Sequence, residues 1–276
     1  MVHLARARNG IEPLKAFLES YRRMPAGIEH TLVLALKGFG RSLGREFEAI
    51  LRDVDAERVA LADSGYDIGT YRTAARTLSA RKLCFLNSFS VILGDAWLAK
   101  LHTASLEPGV GLVGASASWQ SLETNYRLQQ AQPFGGPGDP ARWLFRALRY
   151  QFMVRGRFPS FPNPHVRTNA FLIERDLFLR VGERAMKSKW DAYCFESGRA
   201  GLSRRVAEAG LSLKVVGRDG VAYAPAEWPR SHTAWSGEQE NLLVADNQSR
   251  LYERGDSNAR AILRRYAWGE ESETLS

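Results

Sequence analysis

The first 115 residues alternate short apolar runs with longer amphipathic segments, and this alternation constrains the fold more than any other feature of the chain. Five apolar runs have the length of β-strands; they cover residues 2–5, 31–36, 58–62, 83–86 and 110–114. Four segments between them place apolar side chains at helical spacing; they cover residues 12–23, 43–53, 71–78 and 96–103. This βαβαβαβαβ order requires crossover connections, which predicts a mostly parallel, Rossmann-like central sheet flanked by helices.

The rest of the chain continues the α/β pattern less regularly. A glycine- and proline-rich tract at residues 129–140 predicts a loop. Two more strands are predicted at residues 169–173 and 213–216. Five more helices are predicted at residues 142–152, 176–181, 199–209, 241–252 and 258–266. Because no internal repeat or low-complexity tract interrupts the chain, we expect one α/β domain over residues 1–276 with a helical C-terminal segment.

The formal net charge of +8 favours an anionic partner, such as a nucleotide phosphate, a membrane surface or a nucleic acid. Arg142, Arg146 and Arg149 fall on one face of a predicted helix, where they could contact an anionic membrane or a charged acceptor. Such a stripe is more often a solvated helix face. No recognised nucleic-acid-binding motif accompanies the charge, so we expect no nucleic-acid partner.

Several protein classes are disfavoured by what the sequence lacks. The longest uncharged stretch, residues 108–122, has only 15 residues and is too short and polar to cross a membrane. No secretory signal is visible, so a cytoplasmic location is expected, with any membrane contact peripheral at the inner face. The two cysteines cannot build a disulfide framework or a cysteine-based zinc site. The motifs of serine hydrolases, P-loop NTPases and zincins are absent.

The first candidate site motif follows the third predicted strand. Ligands of parallel sheets bind beyond the carboxyl ends of the strands, so this position is searched first. Asp63 and Asp67 could accept hydrogen bonds from a ribose or a base, Gly65 allows a tight turn, and Arg72 could meet a phosphate. The alternative interpretation is an ordinary loop between strand and helix, with an aspartate that caps the helix.

Two further motifs lie later in the chain. Asn87, Ser88 and Ser90 follow the fourth strand and could hydrogen-bond a diphosphate or sugar, or could simply form a turn. Glu196 precedes a basic segment and could act as a general base on an acceptor hydroxyl. The alternative for Glu196 is a place near a helix N-terminus, where the helix dipole stabilises a carboxylate. His232 could touch a metal or a phosphate, although a lone histidine is more often structural.

In order and spacing, these segments resemble a GT-A glycosyltransferase of the family-2 type, close to proteins of bacterial surface-polysaccharide synthesis. The resemblance covers most of the chain. In that fold the first strand ends at the nucleotide pocket, the third ends in an acid for the base or ribose, and the fourth carries the DxD motif. An acceptor-side strand and the catalytic base follow. These places are occupied here by residues 5–9, Asp63, residues 85–90, residues 167–173 and Glu196.

The resemblance implies a donor-binding half at residues 1–115, an acceptor-side half at residues 116–240 and a C-terminal helical segment at residues 241–276. The implied donor-binding residues are Ala5, Arg6, Arg8, Asp63, Gly65, Asp67, Arg72, Asn87, Ser88 and Ser90. It also implies that Glu196 is the catalytic base. The implied contacts to the acceptor or the diphosphate are Asp191, Arg204, Arg205 and His232.

Two positions depart from the family pattern. The DxD place reads Asn87-Ser88-Phe89-Ser90 and contains no acid, and the catalytic acid pair is reduced to Glu196. The family's metal cofactor would be Mn²⁺ or Mg²⁺, which neutral oxygens hold poorly, so we assign no metal ligands. The leaving diphosphate would then need fixed positive groups. The candidates for that role are Arg6, Arg8, Arg72, Arg204, Arg205 and His232.

The sequence therefore predicts an inverting glycosyltransferase that uses a nucleotide-sugar donor and a glycan or lipid-linked acceptor. One alternative is a non-catalytic GT-A-like protein that binds a sugar nucleotide or scaffolds a polysaccharide assembly complex. A second is a nucleotidyltransferase on a related fold, which would need metal-binding carboxylates and an early glycine-rich loop.

Overall fold

The structure is a computed structural model that describes residues 1–40, 44–131, 148–181, 186 and 188–269. The strands within these ranges are β1 Val2–Arg6, β2 Val33–Lys37, β3 Glu57–Leu61, β4 Lys82–Leu86, β5 Val91–Ile92, β6 Val110–Gly114, β7 Ala117–Ser118, β8 His165–Val166, β9 Ala170–Glu174, β10 Ser212–Val216, β11 Ala222–Tyr223 and β12 Val244–Ala245. The helices are α1 Glu12–Arg23, α2 Arg45–Leu51, α3 Tyr66–Thr77, α4 Trp97–Ala104, α5 Leu122–Ala131, α6 Arg175–Val181, α7 Lys189–Ser197, α8 Leu202–Glu208, α9 Asn247–Arg254 and α10 Ser257–Trp268.

Eight strands form the central sheet in the order β11-β10-β6-β9-β4-β1-β2-β3. Strands β4, β1, β2 and β3 are parallel neighbours, and β6 is parallel to β10. Strand β9 runs antiparallel between β4 and β6, and β11 is antiparallel to β10. The predicted α/β architecture, with a mostly parallel sheet flanked by helices, is confirmed. The reversed direction of β9 was not predicted, because an apolar run does not show which way a strand points.

The sheet is buried on both faces, which explains why its central strands are continuous apolar runs. Successive side chains of β2 alternate between two apolar clusters: Val33 and Ala35 belong to one, and Leu34 and Leu36 to the other. Helix α3 packs in the first cluster, and α1 and α4 pack in the second. The carboxyl ends of β1 to β4 are thereby held at one edge of a rigid layer.

Helix α3 begins five residues earlier than the predicted helix at residues 71–78. Gly65 and Tyr66 both adopt the left-handed region, with φ of 72° and 51°, and turn the chain sharply out of β3 into the helix. Residues 66–70, which lay between the predicted strand and the predicted helix, are therefore helical. Gly65 lies at the start of α3 and Asp67 lies in its first turn.

Other boundaries differ in the second half. Helix α7 was not predicted; it begins at a capping box in which Ser188 and Asp191 hydrogen-bond each other's backbone. The helix predicted at residues 199–209 begins only at Leu202, and the first part of the helix predicted at residues 241–252 contains β12 instead.

The glycine-rich tract and the predicted helix at residues 142–152 lie largely outside the described residues, as do Arg142 and Arg146. A π-helical turn covers Tyr150–Val154. Across the described ranges, no helix combines the length and the apolar character that crossing a membrane requires.

Candidate active site

The carboxyl ends of β1, β2 and β3 are joined by an ion pair. The Nε atom of Arg6, at the end of β1, lies 2.8 Å from Oδ1 of Asp63, just beyond β3. This hydrogen bond lowers the pKa of Asp63, and the charges of Arg6, Lys37 and Arg8 add to the effect. Gly38, with φ of 77°, makes the approach possible, because a Cβ atom there would lie 3.0 Å from the Cβ of Asp63. Two residues predicted to bind the donor are thus in direct contact.

Lys37, at the end of β2, is a functional candidate that was not singled out from the sequence. Its side chain is fully buried, and its Nζ atom donates a hydrogen bond to the carbonyl oxygen of Tyr66 at 2.5 Å. Burial lowers the pKa of Lys37, and the negative charge of Asp67 opposes that change. Its position in the sequence could have identified Lys37, because this lysine directly continues a buried apolar strand. In the sheet it lies in register with Arg6.

Asp67 links the predicted donor residues to the predicted base. It lies in the first turn of α3, and no hydrogen bond to its carboxylate is present within the described part of the chain. Burial raises the pKa of Asp67; the charges of Lys37 and Arg6 lower it and that of Glu196 raises it further. Helix α3, which carries Asp67, packs against α7, which carries Glu196, so the two carboxylates lie in one region.

Tyr71 lies in the same region, one turn further along α3. Its ring is fully buried and its hydroxyl has no hydrogen-bond partner among the described residues. Burial raises the pKa of Tyr71 well above its usual value, and the charges of Asp67 and Glu196 contribute to the increase. Two carboxylates and a phenol are therefore grouped above the sheet.

The remaining donor candidates lie around this core. Ala5 is buried in β1, whereas Arg8 is exposed. Gly65 and Arg72 line a groove of about 400 Å³, which is formed by the end of β3, the turn after it and one side of α3. Arg76 lines the same groove, so its wall is basic.

At the end of β4, the polar residues form a turn. The side-chain oxygen of Asn87 accepts hydrogen bonds from the backbone N–H of Phe89 at 3.0 Å and from Ser90 Oγ at 3.1 Å. Ser88 is buried, and its hydroxyl has no partner in the described structure. Asn87 and Ser90 thus fit the alternative interpretation of this motif, while Ser88 retains an unpaired hydroxyl.

The residues at this position do not fit a divalent cation. Asn87, Ser88 and Ser90 offer no carboxylate, and the oxygen of Asn87 already accepts two hydrogen bonds. Among the described residues, no three histidine, cysteine, aspartate or glutamate side chains cluster in a way that could hold a metal ion. We therefore assign no catalytic step to a metal.

Strand β9 brings Glu196 to this edge of the sheet. Because β9 is antiparallel to β4, the residues that precede it lie beside the end of β4, and the N–H of Asn87 donates to the carbonyl of Asn169 at 2.8 Å. The neighbouring Thr168 donates from its N–H at 2.8 Å and from its Oγ1 at 2.5 Å to Oε2 of Glu196. Glu196 is thus fixed to the sheet through Thr168, and its other oxygen accepts no hydrogen bond from a described residue. The amide nitrogen of Asn169 is buried without a partner in the described part of the chain.

The structure corrects the alternative interpretation of Glu196. The residue lies in the last turn of α7 and not at a helix N-terminus, so the helix dipole does not stabilise its charge. Glu196, His165 and Arg167 line a cavity of about 30 Å³, which is large enough for one water molecule. Burial lowers the pKa of His165, which keeps this ring neutral beside the carboxylate. Arg167 is paired with the buried Asp246 at 2.8 Å.

The four predicted acceptor or diphosphate residues are each held by a local contact. Asp191 closes the capping box of α7. Arg204 Nε lies 3.6 Å from Glu208, and Arg205 donates to the carbonyl of Val181 at 2.9 Å. His232 Nδ1 lies 2.5 Å from a carboxylate oxygen of Glu240 in an exposed loop. A role of these side chains at a diphosphate would require each to exchange its present contact.

Comparisons with known proteins provide no family for the chain. No protein-family model matches it, and no curated protein matches it. Among solved structures, the mannosyltransferase PcManGT from Pyrobaculum calidifontis, in complex with GDP-Man and Mn²⁺, is 12% identical with a TM-score of 0.47. That alignment covers 84% of this chain but only 59% of the mannosyltransferase.

Two further solved structures are similarly distant. A 4-diphosphocytidyl-2C-methyl-D-erythritol synthase from Anaerococcus prevotii is 11% identical with a TM-score of 0.44, over 78% of this chain and 86% of that one. Mouse xyloside xylosyltransferase 1 in its apo form is 12% identical with a TM-score of 0.37, over 76% of this chain and 80% of that one. Similarities with TM-scores below 0.5 show neither an activity nor a substrate for this chain.

Proposed function

We propose that the protein transfers a glycosyl group from a nucleotide-sugar to an acceptor hydroxyl, with inversion at the anomeric carbon. The observation that supports this best is the gathering of Arg6, Asp63, Asp67 and Glu196 around the carboxyl ends of parallel strands. Ligands of open parallel sheets bind at that edge, where the strand order reverses on either side of β1. A nucleotide-sugar presents hydroxyls, a charged diphosphate and a reactive carbon, and this edge offers carboxylates, cations and a base.

The donor side would be formed by residues 1–115. Asp63 and Asp67 would accept hydrogen bonds from the ribose or the base. Arg6 and the buried Lys37 would offset the charge of the diphosphate, and fixed cations in a buried setting do so without reorganisation. The unpaired hydroxyl of Ser88 and the unpaired amide of Asn169 would donate to sugar oxygens. Ser88 and Asn169 would use atoms that the described structure leaves unpaired, whereas Asp63 and Arg6 share an ion pair and Lys37 donates to the carbonyl of Tyr66.

The chemistry requires one proton acceptor. Glu196 would remove the proton of the acceptor hydroxyl as its oxygen attacks the anomeric carbon from the side opposite the diphosphate. The new bond forms between that oxygen and the carbon, while the bond from the carbon to the diphosphate oxygen breaks. Its electron pair leaves with the nucleoside diphosphate, and the proton remains on Glu196 until solvent removes it. One base is sufficient for this single displacement.

From the sequence resemblance we also propose the finer identity of the reaction. The enzyme would act in cytoplasmic synthesis of bacterial surface polysaccharide, with a glycan or lipid-linked acceptor bound by residues 116–240. Peripheral contact with a membrane would then involve the predicted basic helix face with Arg142, Arg146 and Arg149. The segment at residues 241–276 would support this acceptor side, as Asp246 already does through its ion pair with Arg167.

The proposal is tested in two steps. A thermal-shift screen of UDP-, GDP-, dTDP- and CMP-sugars, each with EDTA and with Mn²⁺, should identify the donor because a ligand stabilises the folded state by mass action. Turnover of that donor should then fall at least about a hundredfold in Glu196→Gln, with an unchanged thermal shift. Glu208→Gln is the matched control, because Glu208 is exposed and, among the described residues, pairs with Arg204 alone. Undiminished turnover in Glu196→Gln would reject the assigned base.

A second candidate is a non-catalytic protein that binds a sugar nucleotide. It is favoured by one specific observation: Asn87, at the place of the metal-binding acids, uses its side chain to form a turn. Donor-induced stabilisation without any turnover, in both wild type and Glu196→Gln, would support this candidate. No stabilisation by any of the four donor classes would argue against both.

A further inference from the structure

The chain at residues 148–155 contains the π-helical turn and has one packed side and one open side. Tyr150, Met153 and Val154 belong to the apolar cluster that also contains Trp190 and Cys194 of α7, so these three side chains face inward. The exposed residues recur every three or four positions on the opposite side; they are Leu148, Gln151, Phe152 and Arg155. These four residues form a single stripe, called the outward face below.

Two large apolar side chains lie on the outward face. Phe152 is 68% exposed, more than any other large apolar side chain that the structure describes, and Leu148 is 47% exposed. Single exposed apolar side chains are common on protein surfaces. A pair at i and i+4 lies side by side, however, and forms a continuous apolar patch, which is typical of an interaction surface.

The charge beside this patch is positive. The Nη1 atom of Arg155 donates to Oε1 of Gln151 at 3.0 Å, and this contact holds the guanidinium on the outward face. Arg157 follows two residues later and is also exposed. The two arginines are at most about 7 Å apart along the chain, which is less than the Debye length of about 8 Å, so their charges add at this surface.

The sequence around the outward face contains no acid that would offset this charge. Residues 140–173 include neither aspartate nor glutamate. Glu123, which accepts a hydrogen bond from the inward-facing Tyr150, is buried and pairs with Arg127 at 3.6 Å. The outward face is therefore apolar at its centre and cationic at one end.

The outward face lies close to the proposed base. Val154, on the inward side, shares its apolar cluster with Cys194, two residues before Glu196 in α7. The chain after α7 is also bonded to this segment, because the N–H of Arg199 donates to the carbonyl of Arg157 at 2.8 Å. Packed helical segments lie about 10 Å apart, so α7 is the layer directly behind the outward face.

We propose that the outward face docks on a lipid bilayer that contains anionic lipids, with Phe152 and Leu148 inserted below the headgroups and Arg155 beside the lipid phosphates. Apolar side chains enter the boundary between headgroups and acyl chains, and arginines next to them are attracted by anionic lipids. The surface uses other side chains than the basic helix face predicted from the sequence. Its consequence for catalysis rests on the proposed function: docking would hold Glu196 near the bilayer and so favour a lipid-linked acceptor.

Two other occupants fit the outward face less well. A single-stranded nucleic acid stacks on successive rings, whereas Phe152 is the only ring among the four residues of this face. A second copy of the chain, paired through the same face, would bring Arg155 near its own counterpart, and like charges at such a contact repel. An anionic bilayer complements both the apolar patch and the charge.

The test is cosedimentation of the full chain with phosphatidylcholine vesicles, with and without phosphatidylglycerol. We expect binding at least about fivefold stronger with phosphatidylglycerol, and weaker binding at higher salt. Phe152→Ala should lower the partition coefficient about tenfold, and Phe152→Leu less than about threefold because a large apolar group is retained. Arg155→Gln should lower it about fivefold on the anionic vesicles only.

Matched control variants come from the other end of the sheet. Leu106→Ala removes an apolar side chain that is 62% exposed, and Arg22→Gln removes an exposed cation at the end of α1. Neither should change vesicle binding, and Tm should be the same in all these variants because each altered side chain is exposed. Equal losses in Phe152→Ala and Leu106→Ala would reject the outward face as the docking surface.

The remaining outcomes separate this proposal from its competitors and from the transferase. No binding to either vesicle, or equal binding to both, would reject an anionic bilayer as the partner. A dimer in solution, or binding of an oligothymidylate, that is lost in Phe152→Ala without vesicle binding would identify a second copy or a nucleic acid instead. The donor thermal shift should be unchanged in every variant. Vesicle binding that depends on Phe152, without any donor shift, would keep the docking surface and reject the transferase.

Discussion

The two edges of the central sheet differ in how their polar groups are paired. The amino edge has a cavity of about 470 Å³, yet Lys82 there donates to both the carbonyl and the hydroxyl of Ser105, at 2.9 and 2.7 Å. His30, which lines the same cavity, has both ring nitrogens 2.9 Å from a partner oxygen. Lys82 and His30 in this larger cavity thus have their hydrogen bonds made.

At the carboxyl edge the opposite holds. Within the described part of the chain, Asp67 has no hydrogen bond, and Tyr71, Ser88 and Asn169 each bury an unpaired polar atom. Native proteins pair nearly all such atoms, so a cluster of unpaired ones indicates a ligand position. The comparison teaches that incomplete pairing identifies the candidate site here better than cavity size does.

The largest expected effect comes from replacing the buried Lys37, with the half-buried Lys82 as its counterpart. Lys37→Met should weaken binding of the donor's nucleoside diphosphate about ten- to hundredfold, because a hydrogen bond to a charged group contributes about 1.5–3 kcal/mol. Lys82→Met, the matched variant at the amino edge, should lower Tm and leave this Kd unchanged. Isothermal titration calorimetry measures both constants, and equal losses in the two variants would remove the distinction between the edges.

Substitution of Thr168 tests whether Glu196, the proposed base, is positioned by its hydrogen bonds to the chain just before β9. Thr168→Val removes the hydroxyl that donates to Glu196 but keeps the backbone N–H bond, so kcat should fall about tenfold with an unchanged KM for the donor. Thr168→Ser should restore kcat. Steady-state kinetics distinguish this from general damage, which would not be rescued by serine; a parallel rise in KM would contradict the assignment.

His3 departs from the pattern of paired polar groups at the amino edge. It is buried near the amino end of β1, and both of its ring nitrogens lack a hydrogen-bond partner among the described residues. Burial lowers its pKa to about 3, and its ring stacks on Phe17 at 3.6 Å. No titratable neighbour contributes to that shift, so we expect a cost in stability and no role in binding.

The unfolded chain binds a proton at His3 below pH of about 6.5, whereas the folded chain resists it down to pH of about 3. Stability should therefore be complete above pH 6.5 and fall as the pH decreases through that window. His3→Leu should raise the free energy of unfolding by about 1–2 kcal/mol and flatten this dependence. Urea denaturation at several pH values measures both, and donor binding should not change.

The smallest effect is expected from metal removal. Since Asn87 occupies the place of the acids and its oxygen already forms a turn, EDTA should change the donor Kd less than about twofold. Calorimetry with and without Mn²⁺ measures the ratio. A large loss in EDTA would show that carboxylates elsewhere hold a cation, and Asp95 would be the first to substitute.

Five of the six strands in the first 115 residues could be predicted from their apolar runs, which are continuous where a strand is buried on both faces, and their boundaries agree within a few residues. The two-residue strand β5 was not predicted. The start of α3 could not be predicted, because it depends on left-handed backbone at Tyr66, a residue type that rarely adopts it. Helix α7 was missed because its apolar side chains divide between two clusters, which obscures a single periodic stripe.

For the site, position after a strand correctly brought Arg6 and Asp63 together, since parallel strands end at one edge. Lys37 was not selected as a site residue because a lysine at the end of an apolar run is usually exposed to solvent, whereas here its side chain is fully buried. Arg204 and Arg205 were selected because of their charge alone, and the charge of a residue does not show which way its side chain points. The side chain of Arg204 pairs with Glu208, and that of Arg205 donates to the carbonyl of Val181. The roles proposed for these residues stay predictions.

The antiparallel strand β9 has a consequence for the modularity of this chain. It separates β4 from β6, so both strands of the donor-side half need a partner that is encoded after residue 165. A fragment that stopped at residue 115 would leave β4 with one unpaired edge and β6 with both edges unpaired, and unpaired edges are templates for aggregation. The donor-side half therefore does not form an independent module. A chimera that joins it to the acceptor-side half of another protein would fold only if that second half supplied a strand equivalent to β9.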